Sequence, residues 1–221
     1  MENIIIALDG FSGTGKSSTA RAVANELSYL YIDSGAMYRA VTLYFLDHAI
    51  DHKDRQAVKN ALDDITITFV KNQIFLNEVN VSDEIRTMRI NENVSAISAI
   101  REVRKSMVAQ QQRIGQSRGI VMDGRDIGTV VFPHAELKIF MTANPKVRAK
   151  RRQSELSEKG ISEELSVIEN NLLERDKKDS SRTESPLVKA EDAIEIDTSD
   201  LTFDDQVHKI VVLAKEVIHA G

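Results

Sequence analysis

The sequence predicts an α/β fold: a parallel five-stranded sheet flanked by helices, with a small β-containing insertion and a helical lid. Three observations carry this. Short apolar strand segments alternate with helical segments, the rhythm of a parallel sheet covered on both faces. That rhythm is broken once, after Asp51, by a run of period-two strands. The 221 residues are 42% hydrophobic and 29% charged, enough to bury one core around such a sheet.

The elements follow in order. Residues 4–8 are a continuous apolar run ended by Asp9-Gly10, the pattern of a strand buried on both faces. A Gly/Ser/Thr-rich loop leads to a helix over 16–28, with Ala20, Val23, Ala24 and Leu27 on one face. Residues 29–32 are a second strand, and Ser34 caps a helix running to about His48. From Asp51 the pattern changes. Ile65-Thr66-Ile67-Thr68-Phe69 alternates, and strands over 73–76 and 79–81 follow, separated by Lys71-Asn72 and Asn77-Glu78: a small antiparallel meander. Helix resumes near Ser82 and continues to about Gln116, broken around 89–93. Residues 119–122 and 137–142 are the third and fourth core strands. Pro145 opens the first of two charged helices, 145–158 and 162–177, joined by Lys159-Gly160. Residues 177–184 read as a mobile loop, 193–196 as the fifth strand, and 203–219 as a terminal helix. The domain reading is a core of 1–50, 109–144 and 163–221, an inserted region of 51–108 and a lid of 145–162.

Composition narrows the function. Lys plus Arg number 29 against 34 Asp plus Glu, a formal net charge of -5, which excludes a general nucleic-acid or membrane-surface binder. The arginines are therefore read locally, as anion sites. There is no cysteine, so disulfides, thiolate metal sites and cysteine nucleophiles are excluded. The amino end starts acidic and lacks the features of a signal peptide. No run approaches the roughly 18 apolar residues of a membrane span. The expectation is a cytoplasmic protein.

Gly10-Phe11-Ser12-Gly13-Thr14-Gly15-Lys16-Ser17 matches G-x-x-x-x-G-K-[ST] between a predicted strand and a predicted helix. Glycines let the backbone curl so that successive N–H groups face one anion. The helix N-terminus adds a favourable dipole. Lys16 reaches the β- and γ-phosphates, and Ser17 offers an oxygen to Mg²⁺. The donor site is thus residues 10–18: Gly10, Phe11, Ser12, Gly13, Thr14, Gly15, Lys16, Ser17 and Ser18. The motif in this context predicts a P-loop NTPase-type fold that binds a nucleoside triphosphate with Mg²⁺; ATP as the donor is what the resemblance described next implies.

Three further blocks lie at strand or helix ends, where doubly wound sheets bind ligands: Asp33-Ser34-Gly35-Ala36-Met37-Tyr38-Arg39, Asp123-Gly124-Arg125-Asp126-Ile127-Gly128-Thr129, and Glu174-Arg175-Asp176 with Arg182 beyond. With these blocks in place the whole chain resembles the bacterial cytidylate kinases, which phosphorylate CMP and dCMP. The P-loop, DSGAMYR, SDEIRT, DGRDIGTVVFP and ERD blocks occur in that family's order and approximate spacing. The P-loop alone is generic; DSG-x-x-YR with DGRD-x-GT is specific. Family members vary at position 17 between Gly and Ser/Thr, so Ser17 makes a metal contact plausible without being required.

The resemblance implies that Ser34 and Arg39 hold the acceptor nucleotide, and that Arg86 binds its sugar. Cytosine offers an N4 amino donor beside the N3 and O2 acceptors, so a carboxylate accepts from N4 while guanidinium and hydroxyl groups donate to the acceptors. By family match those are Asp126, Arg104 and Ser95. Uracil would turn an acceptor toward Asp126. Arg125 contacts a transferring or acceptor phosphate, and Asp179 positions the ribose or an arginine. Arg148, Arg151 and Arg152, at i, i+3 and i+4, share a helical face and form the lid. Phosphoryl transfer spreads charge over equatorial oxygens, so the expected catalytic set is Lys16, Arg125, Arg148, Arg152, Arg175 and Arg182. Asp9 and Asp123 are alternative outer carboxylates for the metal, and Asp197-Thr198-Ser199 borders the adenine. The lid and the insertion are expected to close on two bound substrates, with the chain acting as a monomer.

Other readings compete. A small P-loop kinase for UMP, AMP, GMP or shikimate shares the donor loop, but DGRD stands where adenylate kinases carry an Asp-Gly-Phe-Pro-Arg-like block. A GTPase switch would need an Asn-Lys-x-Asp motif, which is absent from the chain. A catalytically silent scaffold would not keep every element of turnover.

Overall fold

The computed structural model describes residues 3–70, 73–158 and 160–220. The turn expected at Lys71-Asn72 and the Lys159 half of the helix junction lie outside the described residues. In chain order the elements are β1 (Ile5–Gly10), α1 (Lys16–Leu27), β2 (Leu30–Asp33), α2 (Ser34–Asp47), α3 (Arg55–Asp63), β3 (Ile67–Val70), β4 (Gln73–Leu76) and β5 (Val79–Asn80). A 3-10 turn (Glu84–Arg86) then leads to α4 (Met88–Ile97), α5 (Arg101–Gly115) and β6 (Ile120–Asp123). A π-helical turn (Ile127–Val131) precedes β7 (Leu137–Thr142), α6 (Pro145–Ser157), α7 (Leu165–Ser181), β8 (Ile194–Asp197) and α8 (Phe203–Ala220).

The chain divides into two units. One comprises the chain up to Tyr31 and from Arg118 onward; the other is Ile32–Ser117. The five-stranded sheet has the order β2-β6-β1-β7-β8, and β1 pairs in parallel with both β6 and β7. The expected α/β fold is therefore present. In the first unit, Ile6, Leu8, Val121, Ile139, Met141 and Ile196 of the sheet pack with Val23 of α1 and with Val207, Ile210 and Val211 of α8. Burying each large aliphatic side chain contributes about 1.5–3 kcal/mol relative to exposing it. This packing fixes the carboxyl ends of β1 and β6, and those ends carry the site.

The second unit holds the three-stranded antiparallel meander β3-β4-β5 with α2 to α5. Four local expectations change. Asp33, not Ser34, caps α2, its carboxylate accepting from the Ala36 amide at 2.9 Å. The break between α4 and α5 falls at 98–100 instead of 89–93. Asn91 and Asn93 are poor helix formers, but Ile90, Val94 and Ile97 are buried along one face, and that packing keeps the segment helical. The helix α3 was not anticipated; Asp54 caps it through the Gln56 and Ala57 amides. Finally, α7 runs on to Ser181 through most of the stretch read as a loop, because Asp176 and Asp179 are held by arginines there.

Candidate active site

In the first unit β1 delivers the chain into the loop 10–17. Gly10 has φ +144°, and a Cβ there would lie 2.1 Å from the Met141 carbonyl oxygen on β7, so the backbone of the neighbouring strand admits only glycine. Gly15, at φ +90°, precedes α1, whose first amides receive no side-chain cap. Those amides and the curl before them suit an anion. Lys16 is only 5% exposed, and its ammonium donates to the Phe11 carbonyl at 3.0 Å. Burial pushes its pKa down to about 7; Arg125 and Arg175 push the same way, against Asp123 and Asp9. A bound phosphate would reverse that balance. The Ser17 hydroxyl donates to Asp123 at 2.7 Å, and Tyr31 donates to the other Asp123 oxygen at 2.8 Å.

The crest of the loop is tied to charged groups. The Ser12 amide donates to Asp176 Oδ1 at 3.1 Å, and its carbonyl accepts from Arg148 Nη1 at 3.0 Å. Its hydroxyl accepts from Arg125 Nη2 at 2.8 Å. Arg125 also donates through Nε to Asp179 at 2.8 Å. Arg182 lies 3.5 Å from Asp179 and 3.7 Å from Asp126. Asp179 is half-buried, which raises its pKa, but Arg125, Arg175 and Arg182 outweigh this and hold the carboxyl below the usual range. Arg175, exposed on α7, thus acts electrostatically on both Asp179 and Lys16. The expected residues Ser12, Lys16, Ser17, Arg125, Asp126, Asp179 and Arg182 are brought together within this unit.

Asp9 and Asp123, equivalent in the sequence, differ here. Asp9 accepts the Ile127 and Gly128 amides at 2.9 and 2.7 Å and so supports the π-helical turn after Asp126. Burial raises its pKa to about 6 despite those two hydrogen bonds. Asp123 faces Ser17 instead. Both of its oxygens take hydroxyl donors, a hard oxygen pair of the kind Mg²⁺ prefers.

The three arginines of α6 do not form a common basic face. Arg148 is buried between the Asp176 carboxylate, the Ser12 and Ala143 carbonyls and the Phe11 ring. Its guanidinium is committed inside the protein, so it is removed from the lid. Arg151 donates to the Thr198 carbonyl and hydroxyl at 2.6 and 3.0 Å and to the Thr14 carbonyl at 3.3 Å. Arg152 alone points outward, paired with Glu155 at 2.9 Å. Nearby, a cavity of about 520 Å³ opens among Thr142, Ala143, Asn144, Val147, Asp197, Ser199 and Asp200.

The second unit gathers its own expected residues. Arg39 on α2 donates to the Ile85 carbonyl at 3.4 Å and to the Asn91 side chain. Arg86 lies 3.8 Å from Asp33. The DSGAMYR and SDEIRT blocks therefore meet. Arg104 is 3% exposed, donates to the Ser98 carbonyl at 3.2 Å and lies over the Tyr38 ring at 5.2 Å. Ser34 is buried, while Ser95 stands exposed on α4. Sequence reasoning gave no role to Asp176 or Asn91. Asp176 had a signal, since it precedes Asp179 by one helical turn; Asn91 had none.

The sequence model of the cytidylate kinase family matches residues 6–216. A cytidylate kinase of Cytophaga hutchinsonii is 52% identical over 97% of this chain and 94% of its own. One from Bacteroides fragilis is 48% identical over the full length of both. The crystal structure of an uncharacterized protein from Eubacterium ventriosum aligns with a TM-score of 0.53 at 13% identity, covering 97% of this chain and 99% of that one, a likeness of fold alone. By family match, by relatives close to half identical over nearly its whole length and by the site just described, this chain belongs to the cytidylate kinase family.

Proposed function

We propose that this protein transfers the γ-phosphoryl group of ATP to CMP or dCMP, giving ADP and CDP or dCDP. The observation that carries the reading is Arg125: one guanidinium of the DGRD block bonds both the donor loop at Ser12 and the acceptor-side carboxylate Asp179. A group so placed serves a reaction that joins two phosphates. Family membership supplies the nucleobase.

An acceptor phosphate oxygen attacks the γ-phosphorus as the bridging oxygen leaves with ADP, and charge spreads over the equatorial oxygens. Lys16 and the α1 amides hold the donor phosphates. Arg125, Arg175 and Arg182 stabilise the transferring charge, and Arg152 closes from the lid, 145–162. Ser34, Arg39 and Arg86, from the monophosphate-binding insertion and its border, hold the acceptor. Asp126 accepts from cytosine N4, while Arg104 and Ser95 donate to its ring acceptors. Asp179 serves the ribose. The cavity beside Asp197 and Ser199 takes the adenine. Ser17 with Asp123 would hold Mg²⁺, whose charge would offset that of the donor phosphates. No covalent nucleophile is required.

A cytoplasmic monomer free of nucleic-acid and membrane partners fits the net charge of -5. Among the described residues no helix is long and apolar enough to cross a membrane. Sedimentation with and without CMP tests the monomer. An ADP-release assay across the nucleoside monophosphates with Mg·ATP tests the reaction: CMP and dCMP are turned over fastest. Strong turnover of AMP or GMP without CMP would overturn the assignment.

A further inference from the structure

We infer that Asp176, paired with Arg148, is a positioning residue that sets the shape of the donor loop and ties it to α7. The Asp176 carboxylate divides its oxygens: Oδ1 takes the Ser12 amide at 3.1 Å, and Oδ2 pairs with Arg148. Arg148 in turn donates to the Ser12 carbonyl at 3.0 Å. One buried ion pair therefore fixes both polar groups of a single peptide residue, and with them the local φ and ψ. Asp176 and Arg148 are only 7% and 3% exposed, so water competes weakly for these bonds.

The placement matters because Ser12 lies at the crest of the loop. With its N–H turned onto a carboxylate, the anion must be cradled by the amides that follow. A slack Ser12 peptide would let that N–H swing and spoil the curl. One turn further along α7, Asp179 holds Arg125, and Arg125 holds the Ser12 hydroxyl. The same helix thus grips the donor loop by two routes. On the reading proposed above, α7 and the residue that follows it also present Arg175 and Arg182 to the acceptor. Loop shape and the placement of these arginines are then set by one rigid element.

Removing one member of a buried pair leaves an uncompensated charge, so the test uses charge-balanced variants. Asp176→Glu keeps the charge but moves the carboxylate off the Ser12 amide. The double variant Asp176→Asn/Arg148→Met removes both charges together. Calorimetry of Mg·ADP without any acceptor, thermal melts, and separate KM values for ATP and CMP are recorded. The expectation is about tenfold weaker Mg·ADP binding and a raised KM for ATP, the scale of a small misplacement in a preorganised site, with the KM for CMP within about twofold. Native Mg·ADP affinity in either folded variant overturns the inference. So does failure of both to fold, since the pair would then be a structural support only. ADP binding needs no acceptor, so this result is read even if CMP proves not to be the substrate.

Discussion

Ser12 and Arg86 show two ways of building a nucleotide site. At Ser12 the amide, the carbonyl and the hydroxyl each meet a charged side chain, two of them from a buried ion pair. In the other unit Arg86 has its side chain 55% exposed and lies 3.8 Å from one carboxylate. The donor loop is organised before any ligand arrives, which removes reorganisation from the reaction. The Arg86 side chain is long and solvated, and it must be ordered by what binds. Arg104, buried over Tyr38, shows that the second unit is not uniformly loose: its interior side chain is fixed and its rim is not.

The largest effect belongs to the donor loop. Lys16→Met should lower turnover about 10²–10³-fold, the cost of removing one preorganised charge stabiliser, while the protein still folds; near-native turnover would refute the loop assignment. The same variant tests the depressed pKa. A lysine whose pKa falls from 10.5 to about 7 on folding destabilises the folded state most below pH 7, and the penalty fades as pH rises toward 10.5. Lys16→Met should therefore raise Tm at pH 6, with a gain that shrinks above pH 7; a pH-independent gain would exclude the charge as its cause. Next comes Asp126→Asn, expected to cost about 10²-fold in kcat/KM for CMP and to narrow the preference over UMP. Unchanged discrimination would remove Asp126 from base reading. Smallest is Arg86→Ala. It should raise the KM for CMP by ~3- to 10-fold, as loss of a partly solvated charged hydrogen bond does. Its stability should stay within about 0.5 kcal/mol of wild type, as checked by urea titration.

The sheet and the donor loop were legible because their signals are local. Continuous apolar runs, a glycine pattern at fixed spacing and a strand before a helix need no knowledge of distant contacts. The bounds of β7 agree with the sequence reading, and β1, β2, β6 and β8 are displaced by only one or two residues. What the sequence hid depends on partners far along the chain. Nothing near Arg148 announces Asp176, 28 residues away, so three arginines at helical spacing read as one exposed face. Likewise Asp9 and Asp123 look alike as strand-ending carboxylates. Only the return of the chain through the π-helical turn gives Asp9 two amides to hold and leaves Asp123 for Ser17. α3 escaped notice because its apolar face is three residues, Val58, Ala61 and Leu62, too brief to stand out as a period.

The crowding at Gly10 separates two histories written in one motif. A descendant that had lost all affinity for phosphate would still need glycine there for as long as β7 ran alongside, because what forbids a side chain is the Met141 carbonyl and not the substrate. Gly10 therefore records ancestry of the scaffold. Lys16 and Ser17, under no such prohibition, are the positions at which decay of the activity would first be visible.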